Sequence, residues 1–526
     1  MSSQTANDFS LLVPYLIFII LATPAIILLL MRSARRARAR MAAAEAGQKS
    51  ADGGALTAAP AHRYDLLEIP FVKRLLKWRA FQFIVQLPNV IVFGLVIAAG
   101  IWGTQLGDKN FATVITWLVW WAVIIFTFLF LSRTWCMACP LVSVAEWIQR
   151  GRLWGVSKRP ISLGRKWPRK LRNFWIPTAF FIVLTWMFLN LELATNPLLT
   201  AAVALGLFIV PAIIISLVFE RRTFCRYVCP IGGVIGAYSM TAPLEIRNRS
   251  DQVCRSCKEK ACYRGNEKGY GCPMFMMPQN METNTYCTMC TECIKTCPND
   301  NIALNVRPFL SDLWKTGKMG IDVAAIVVLM LGITVFQTLE MLQPWESISS
   351  SLQSATGLSE HMVLTLSFLA MGVLAPVVIF AVWSALTLWI GGNGARLRTV
   401  FIGFSFAFLP IALGAHMAHN LNHFLSEGPP AVVPVISDPF GWGWNLFGTA
   451  NLIVGPLLAI NPLRLLQMTL VALGYFGAVY TGWRVARQTF GDNLRSVAGL
   501  APMLVLMIAF AGINLYLLNL PMSMRE

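Results

Sequence analysis

Apolar runs of about twenty residues dominate the chain, near 11–30, 81–102, 113–132, 174–194, 199–219, 319–338, 362–390, 399–422, 463–483 and 497–519. Each is long enough to cross a hydrocarbon core of about 30 Å as a helix, and the runs are continuous rather than alternating. In lipid every backbone polar group needs an internal partner, so such runs read as membrane helices. One interval breaks the rhythm. From about 240 to 318 the apolar stretches are short and interrupted by Gly, Pro, Cys and charge. The pattern predicts a polytopic all-α membrane protein of about ten transmembrane helices with an inserted small α+β domain. Four regions follow: an anchor helix and linker over 1–63, a four-helix membrane unit over 64–240, the insert over 241–315 and a C-terminal membrane region over 316–526.

Charge orders these helices. With 43 Lys and Arg against 25 Asp and Glu, the chain carries a net charge of +18. That balance would suit a nucleic-acid binder, but the cations are confined to a few inter-helix segments, as the positive-inside rule expects. Nine lie between Arg150 and Arg172, and Arg32, Arg35, Arg36, Arg38 and Arg40 follow the first run at once. The intervals Asn190–Pro197, Glu340–Glu360 and Glu427–Pro462 hold no Lys or Arg, whereas Arg396, Arg398, Arg484, Arg487 and Arg495 mark the opposite side. The alternation predicts a bacterial inner-membrane protein with both termini outside and the insert in the cytoplasm. Lipid is the expected partner, and nucleic acid is not. The first run lacks a basic leading segment and a small-residue cleavage site, so it reads as a retained anchor. An Ala/Gly-rich linker, expected to be mobile, runs on to about Ala61. The interval Ser426–Asn461, rich in Pro, Gly and aromatics, is expected along the outer interface, where Trp is favoured.

All twelve cysteines fall between Cys136 and Cys297, on the side where thiols stay reduced and ligate metals rather than pair as disulfides. Eight form the runs Cys254-x2-Cys257-x4-Cys262-x9-Cys272-Pro273 and Cys287-x2-Cys290-x2-Cys293-x3-Cys297-Pro298. The second run has bacterial ferredoxin spacing, in which three close thiolates grip one cubane and a distant Cys before Pro ligates its neighbour. On that rule Cys254, Cys257, Cys262 and Cys297 hold one [4Fe–4S] cluster, and Cys272, Cys287, Cys290 and Cys293 hold the other. Zinc is the competing ion for CxxC pairs, but it does not call for this run.

The remaining four cysteines lie in a repeat. One helical hairpin ends in Arg133-Thr134-Trp135-Cys136-Met137-Ala138-Cys139-Pro140, and the next ends in Arg222-Thr223-Phe224-Cys225-Arg226-Tyr227-Val228-Cys229-Pro230. Packing about a pseudo-two-fold axis would bring Cys136, Cys139, Cys225 and Cys229 together, as a third iron–sulfur cluster, a copper or zinc site, or a dithiol relay. The basic neighbours Arg133, Arg222 and Arg226 favour thiolate over thiol. Four of the five histidines, His361, His416, His419 and His423, belong to two consecutive spans at their outer ends. They are expected to bind haem or copper, or to handle the protons of a quinol. Glu146, Glu220 and Asp322, near the opposite boundary, read as solvated ends or ion-pair partners. Trp117, Trp120 and Trp121 read as packing.

The paired Cys-Pro motifs followed by a double-cluster insert resemble the membrane polyferredoxins of the NapH, NosR and CcoG type, over about residues 80–305. The resemblance implies electron transfer at the membrane: quinol oxidation feeding an outer reductase, or copper reduction during oxidase assembly. Two features depart from it. The first motif is C-x2-C-P where the family has C-x3-C-P, and the spans after Asp322 have no counterpart in the NapH or CcoG pattern. Two functions are therefore expected in competition: an electron-transfer subunit that exchanges electrons with quinone or a redox partner subunit, and a copper-handling assembly factor. Electrons crossing about 30 Å of hydrocarbon would need an intermediate stop.

Overall fold

A computed structural model describes residues 12–48 and 63–521, less 155, 157–159, 316–318, 393 and 492–493. Ten apolar helices account for the predicted runs among these residues: α1 (Leu12–Gln48), α2 (Phe81–Trp102), α3 (Phe111–Leu131), α4 (Trp175–Asn190), α5 (Pro197–Val218), α6 (Ile321–Glu340), α7 (Glu360–Gly391), α8 (Leu397–Ser437), α9 (Ile460–Phe490) and α10 (Leu494–Leu517). Nine are long and apolar enough to cross a membrane; α4, at 16 residues, is shorter than a full span. The chain is thus a mostly helical, multi-pass protein.

Two expectations about connecting segments change. Helix α1 does not stop at the arginines but runs on to Gln48, into the predicted linker; the rest of that linker lies outside the described residues. Ala, Arg and Glu are strong helix formers, so the polar end of the run keeps its helix without lipid. Helix α8 likewise continues past Asn422 to Ser437 instead of ending at the interface. It passes through a π-helical turn at His423–Glu427, just before Pro429 and Pro430. Prolines have no N–H to give, and a wider turn changes which carbonyls need a donor. The aromatic segment after Ser437 then folds back over the α2–α3 loop, where Thr104 N donates to Phe440 O at 2.7 Å and Phe111 N to Pro439 O at 3.1 Å.

Helices α2 and α5 pack closely, as do α8 and α9, and α10 lies between α7 and α9. Without a hydrophobic driving force inside lipid, such contacts rely on small residues that let backbones approach. A Cβ on Gly474 of α9 would stand 2.6 Å from Pro410 O, and one on Gly414 of α8 would stand 2.5 Å from Leu470 O. The α8–α9 crossing is closed at both points.

The cysteine-rich segment stands beyond the α3 and α5 ends. Its sheet has order β1–β3–β2, all antiparallel, from β1 (Tyr64–Asp65), β2 (Leu244–Asn248) and β3 (Ile302–Val306). Leu244 faces Val306 and Asn248 faces Ile302. The segment from Tyr64 to Lys77, grouped by sequence with the membrane helices, belongs with this sheet. Asp65 caps the turn at Leu67 and receives Arg249, while Leu67 and Leu76 are buried with Met289, Ile294 and Ile302. Lys73 and Lys77 both pair with Asp300.

Candidate redox centres and an adjoining cavity

The two Cys-Pro motifs fold alike. Each follows a membrane helix with a short helical turn, Trp135–Ala138 or Thr223–Tyr227, and then a new helix whose first residue is the proline, Pro140–Arg150 or Pro230–Tyr238. Proline is pre-set for that position because its missing N–H would be unpaired there. Cys139 and Cys229 thereby become the N-cap residues, at the positive end of a helix dipole. Gly232 N donates to Cys229 Sγ at 3.3 Å. Burial and the charges of Cys136 and Cys225 push the Cys139 thiol up to about 12. Burial pushes Cys225 to about 11, with Cys136 adding to it and Arg222 opposing. Cys229 rises through burial, then through Cys225 and Cys139. These four sulfurs therefore stand close enough to feel one another.

The other eight gather in two groups. Cys254, Cys257, Cys262 and Cys297 line one small cavity. Asn301 donates to two of them, from N to Cys297 Sγ at 3.3 Å and from Nδ2 to Cys254 Sγ at 3.2 Å. Burial and the charges of Cys297, Cys254 and Cys257 raise Cys262 to about 11. In the last group, burial raises Cys290 to about 12 with help from Cys272, and raises Cys287 to about 11 against the N–H of Met289. Cys293 is raised by burial and then by Cys290, Cys287, Cys272 and Cys262, so it links this group to its neighbour. Four thiols that resist ionising together suit a cationic guest, since iron supplies the missing positive charge.

Each group offers four cysteines, the donor type and number that a cubane takes with one thiolate on each iron. Four thiolates also suit one tetrahedral zinc, but the C-x2-C-x2-C-x3-C-P run is the spacing of clusters. The donor sets fit clusters by type and number.

Two buried arginines join the groups. Arg133, 1% exposed, donates Nε to Cys136 Sγ at 3.2 Å, one terminal nitrogen to Thr285 O at 2.7 Å and the other to Cys225 O at 3.4 Å. Thr285 lies two residues before Cys287. Gly232 and Gly236 make room for this guanidinium: a Cβ at Gly236 would stand 2.7 Å from Thr285 O and 3.3 Å from an Arg133 nitrogen. Arg222 donates to Cys136 O at 2.5 Å and to Glu146 Oε1 at 3.0 Å. Glu146, expected among the solvated ends or ion-pair partners, is a buried ion-pair partner. Burial alone would raise its carboxyl, but Arg150 and Arg222 hold it down at about 2. Asp322 accepts from Phe174 N at 2.7 Å and ties α6 to the start of α4.

Beyond the paired motifs a cavity opens among the apolar helices. Leu141 and Ile231, each just past a Cys-Pro pair, form one end, and His416, His419 and His423 of α8 line its wall with Trp117, Trp120 and Trp121. Three π-helical turns contribute residues to it, Val114–Trp120, Ala204–Ile209 and His423–Glu427, and such turns are frequent at functional sites. Two lining donors, Thr116 Oγ1 and Trp120 Nε1, are buried without a hydrogen-bond partner. Trp120 also touches Trp135, the neighbour of Cys136. The tryptophans pack against the core, as read from sequence, and also form part of the cavity wall. Tyr238 OH and His416 Nδ1 lie 3.3 Å apart.

The expected four-histidine site does not form. His361 is exposed at the start of α7, which packs on α4 and on the helix Gln343–Thr356, and it lines no part of the cavity. Haem ligation by His361 opposite an α8 histidine is therefore not supported, nor is a copper site of all four. The reason is tertiary: His416 meets Trp121 of α3 and His419 meets Thr338 of α6, whereas His361 is exposed at the start of α7.

Two segments, 113–162 and 202–240, match the family model of a 4Fe–4S binding domain. They hold both Cys-Pro motifs. A stretch of 89 residues is 29% identical to the putative electron transport protein YccM of Escherichia coli (strain K12), covering 17% of this chain and 23% of that protein. No solved structure matches the chain. These findings support iron–sulfur electron transfer.

Proposed function

We propose that this chain is a membrane-bound electron-transfer protein with three [4Fe–4S] centres in series, exchanging electrons with a quinone-class carrier held in the tryptophan–histidine cavity. The carrying observation is the order of the sites. The Cys254 group adjoins the Cys272 group, Arg133 joins that group to the paired Cys-Pro motifs, Arg222 ties the two motifs to each other, and the motifs border the cavity. When bound, each cluster would take up and release one electron. The chain's own residues place the thiolates, surround them with N–H donors and neutralise part of their charge with two buried guanidinium groups. In the cavity, Thr116 Oγ1 and Trp120 Nε1 can donate to the carbonyl oxygens of a quinone, or Thr116 can accept from a hydroxyl, while the apolar walls suit a lipophilic ring.

In this reading the cysteine end faces the bacterial cytoplasm and both termini face outward, as the Lys and Arg pattern supports. A redox partner docks at the inserted ferredoxin-like domain, whose Cys254 group lies nearer the surface than the others. The competing copper-handling role draws no support from an outer cluster of four histidines. The test is anaerobic purification, an iron and EPR inventory, and addition of a short-chain quinol. Three cluster signals, reduced by quinol in the absence of copper, are expected. Copper uptake with clusters indifferent to quinol would overturn the reading.

A further inference from the structure

The cavity has a second neighbour. At the far end of the helices a larger, more polar vestibule is lined by Glu192, Glu340, Asn422, Glu427, Arg464 and Gln467. His419 lines both spaces. His423 lines the cavity, and its Nδ1 lies 2.9 Å from Glu427 Oε2, a wall residue of the vestibule. The rings of His419 and His423 meet edge to face with centroids 5.0 Å apart. Phe188, Ala194 and Met341 also line both spaces, and the polar part of the partition is a pair of imidazoles and a carboxylate.

We propose that this partition is a proton exit, so that the chain separates charge across the membrane, sending protons to the far end and electrons to the cysteine end. The inference rests on the reading of the cavity as a quinol site and adds the direction of the protons. An ionised carboxylate only accepts, so His423 donates its Nδ1 proton to Glu427, and Nε2 of the neutral ring is left as an acceptor. That nitrogen can take a hydroxyl proton while the Nδ1 proton passes to Glu427. His419, held by Thr338 Oγ1 at 3.3 Å from its Nδ1, offers a parallel carrier open to both spaces. The step balances as a quinol losing two protons to this partition and two electrons towards Cys136, leaving a quinone. Glu192, Glu340 and Arg464 face Glu427 across the vestibule from the α4–α5 loop, α6 and α9, and set the field into which protons emerge. Towards the cysteine end the cavity floor is the apolar Leu141, Ile231 and Val234.

The full chain, with its clusters, is reconstituted in vesicles with the cysteine end outward. Impermeant ferricyanide outside accepts electrons from a short-chain quinol, and a trapped dye reads lumenal pH against protein-free vesicles. Lumenal acidification that an uncoupler abolishes is expected. Glu427→Gln and the double variant His419→Ala, His423→Ala should each slow it by about tenfold or more, with Glu427→Asp restoring most of the rate. Quenching of tryptophan fluorescence by a quinone analogue reports cavity occupancy without any cluster, and should persist in Glu427→Gln. Quinol oxidation with protons released outside, or parental acidification in these variants, would overturn the exit alone. No quinol oxidation and no quenching in the parent would overturn the cavity reading and the exit together.

Discussion

Glu146→Gln is the sharpest test of the buried charge that holds the paired motifs. Glu146 is 2% exposed. It receives Arg222 Nε at 3.0 Å, Arg150 at 2.5 Å, and the amides of Gln82 and Gln86 at 3.1 Å each. Glutamine keeps the shape and one acceptor oxygen but removes the charge, leaving Arg222 buried without its counter-ion. Arg150 and Arg222 hold the carboxyl at about 2 against an ordinary 4.5, despite burial that opposes ionisation. That gap is worth about 3 kcal/mol at neutral pH, at the low end of the roughly 3–5 kcal/mol for breaking a buried pair. Because the folded-state value is depressed, this stability is present above about pH 4.5 and fades as pH falls towards 2. The assay is unfolding in detergent followed by tryptophan fluorescence, read as the difference between parent and variant so that other titrations cancel. A loss of about 3 kcal/mol at pH 7, shrinking below pH 4.5, is expected. Adding Arg222→Met to Glu146→Gln should recover part of it, since only the more exposed Arg150 is then left without the carboxylate. A difference below about 0.5 kcal/mol, or one that does not change with pH, would refute the reasoning.

Other consequences follow from separate features. Cys290→Ser should remove the EPR signal of one centre and its share of iron while the protein still inserts; unchanged iron would reject the assignment of Cys272, Cys287, Cys290 and Cys293. Cys136→Ser and Cys225→Ser should have similar effects on metal content, and the double change should cost little more than either, because members of one site are not additive. Additive losses would mean that the repeat does not converge. Gly474→Val should lower stability by about 1–3 kcal/mol through overpacking at the α8–α9 crossing, whereas Gly455→Ala, with open space around it, should be neutral in the same melt.

Continuous apolar runs could be read from sequence because lipid demands them: nearly every predicted span reappears as a helix within a few residues, Phe81–Trp102 without any shift. The grouping of the cysteines was also legible, since each run is short and local, and the repeat of Cys-Pro pairs signalled that Cys136, Cys139, Cys225 and Cys229 would come near one another. Ends of helices were less so. Nothing in hydropathy says that α8 should pass Pro429 and Pro430, or that α1 should outlast its arginines. Arg133 and Arg222 were named as neighbours that favour thiolate, but their bridging hydrogen bonds were not visible. The glycines at Gly232 and Gly236, four residues apart, were the available hint that a large group would lie against that helix. Glu427, four residues after His423, was another.

What the sequence by itself determined is therefore local: which segments enter lipid, which thiols are spaced for cubanes, and which side the cations mark. Only the tertiary structure decided which of these meet. Four histidines at similar depth became three in a cavity and one on the surface, because the rotation of α8 about its axis is set by the Gly414–Gly474 contact with α9 and by α3. Three tryptophans that any buried helix might carry became the wall of a site, because a π-helical turn at Val114–Trp120 re-aims Thr116 and Trp120. Spacing along a chain constrains neighbours within a turn or two. The angle at which one helix faces another depends on every residue at the crossing, and no single stretch of sequence contains it.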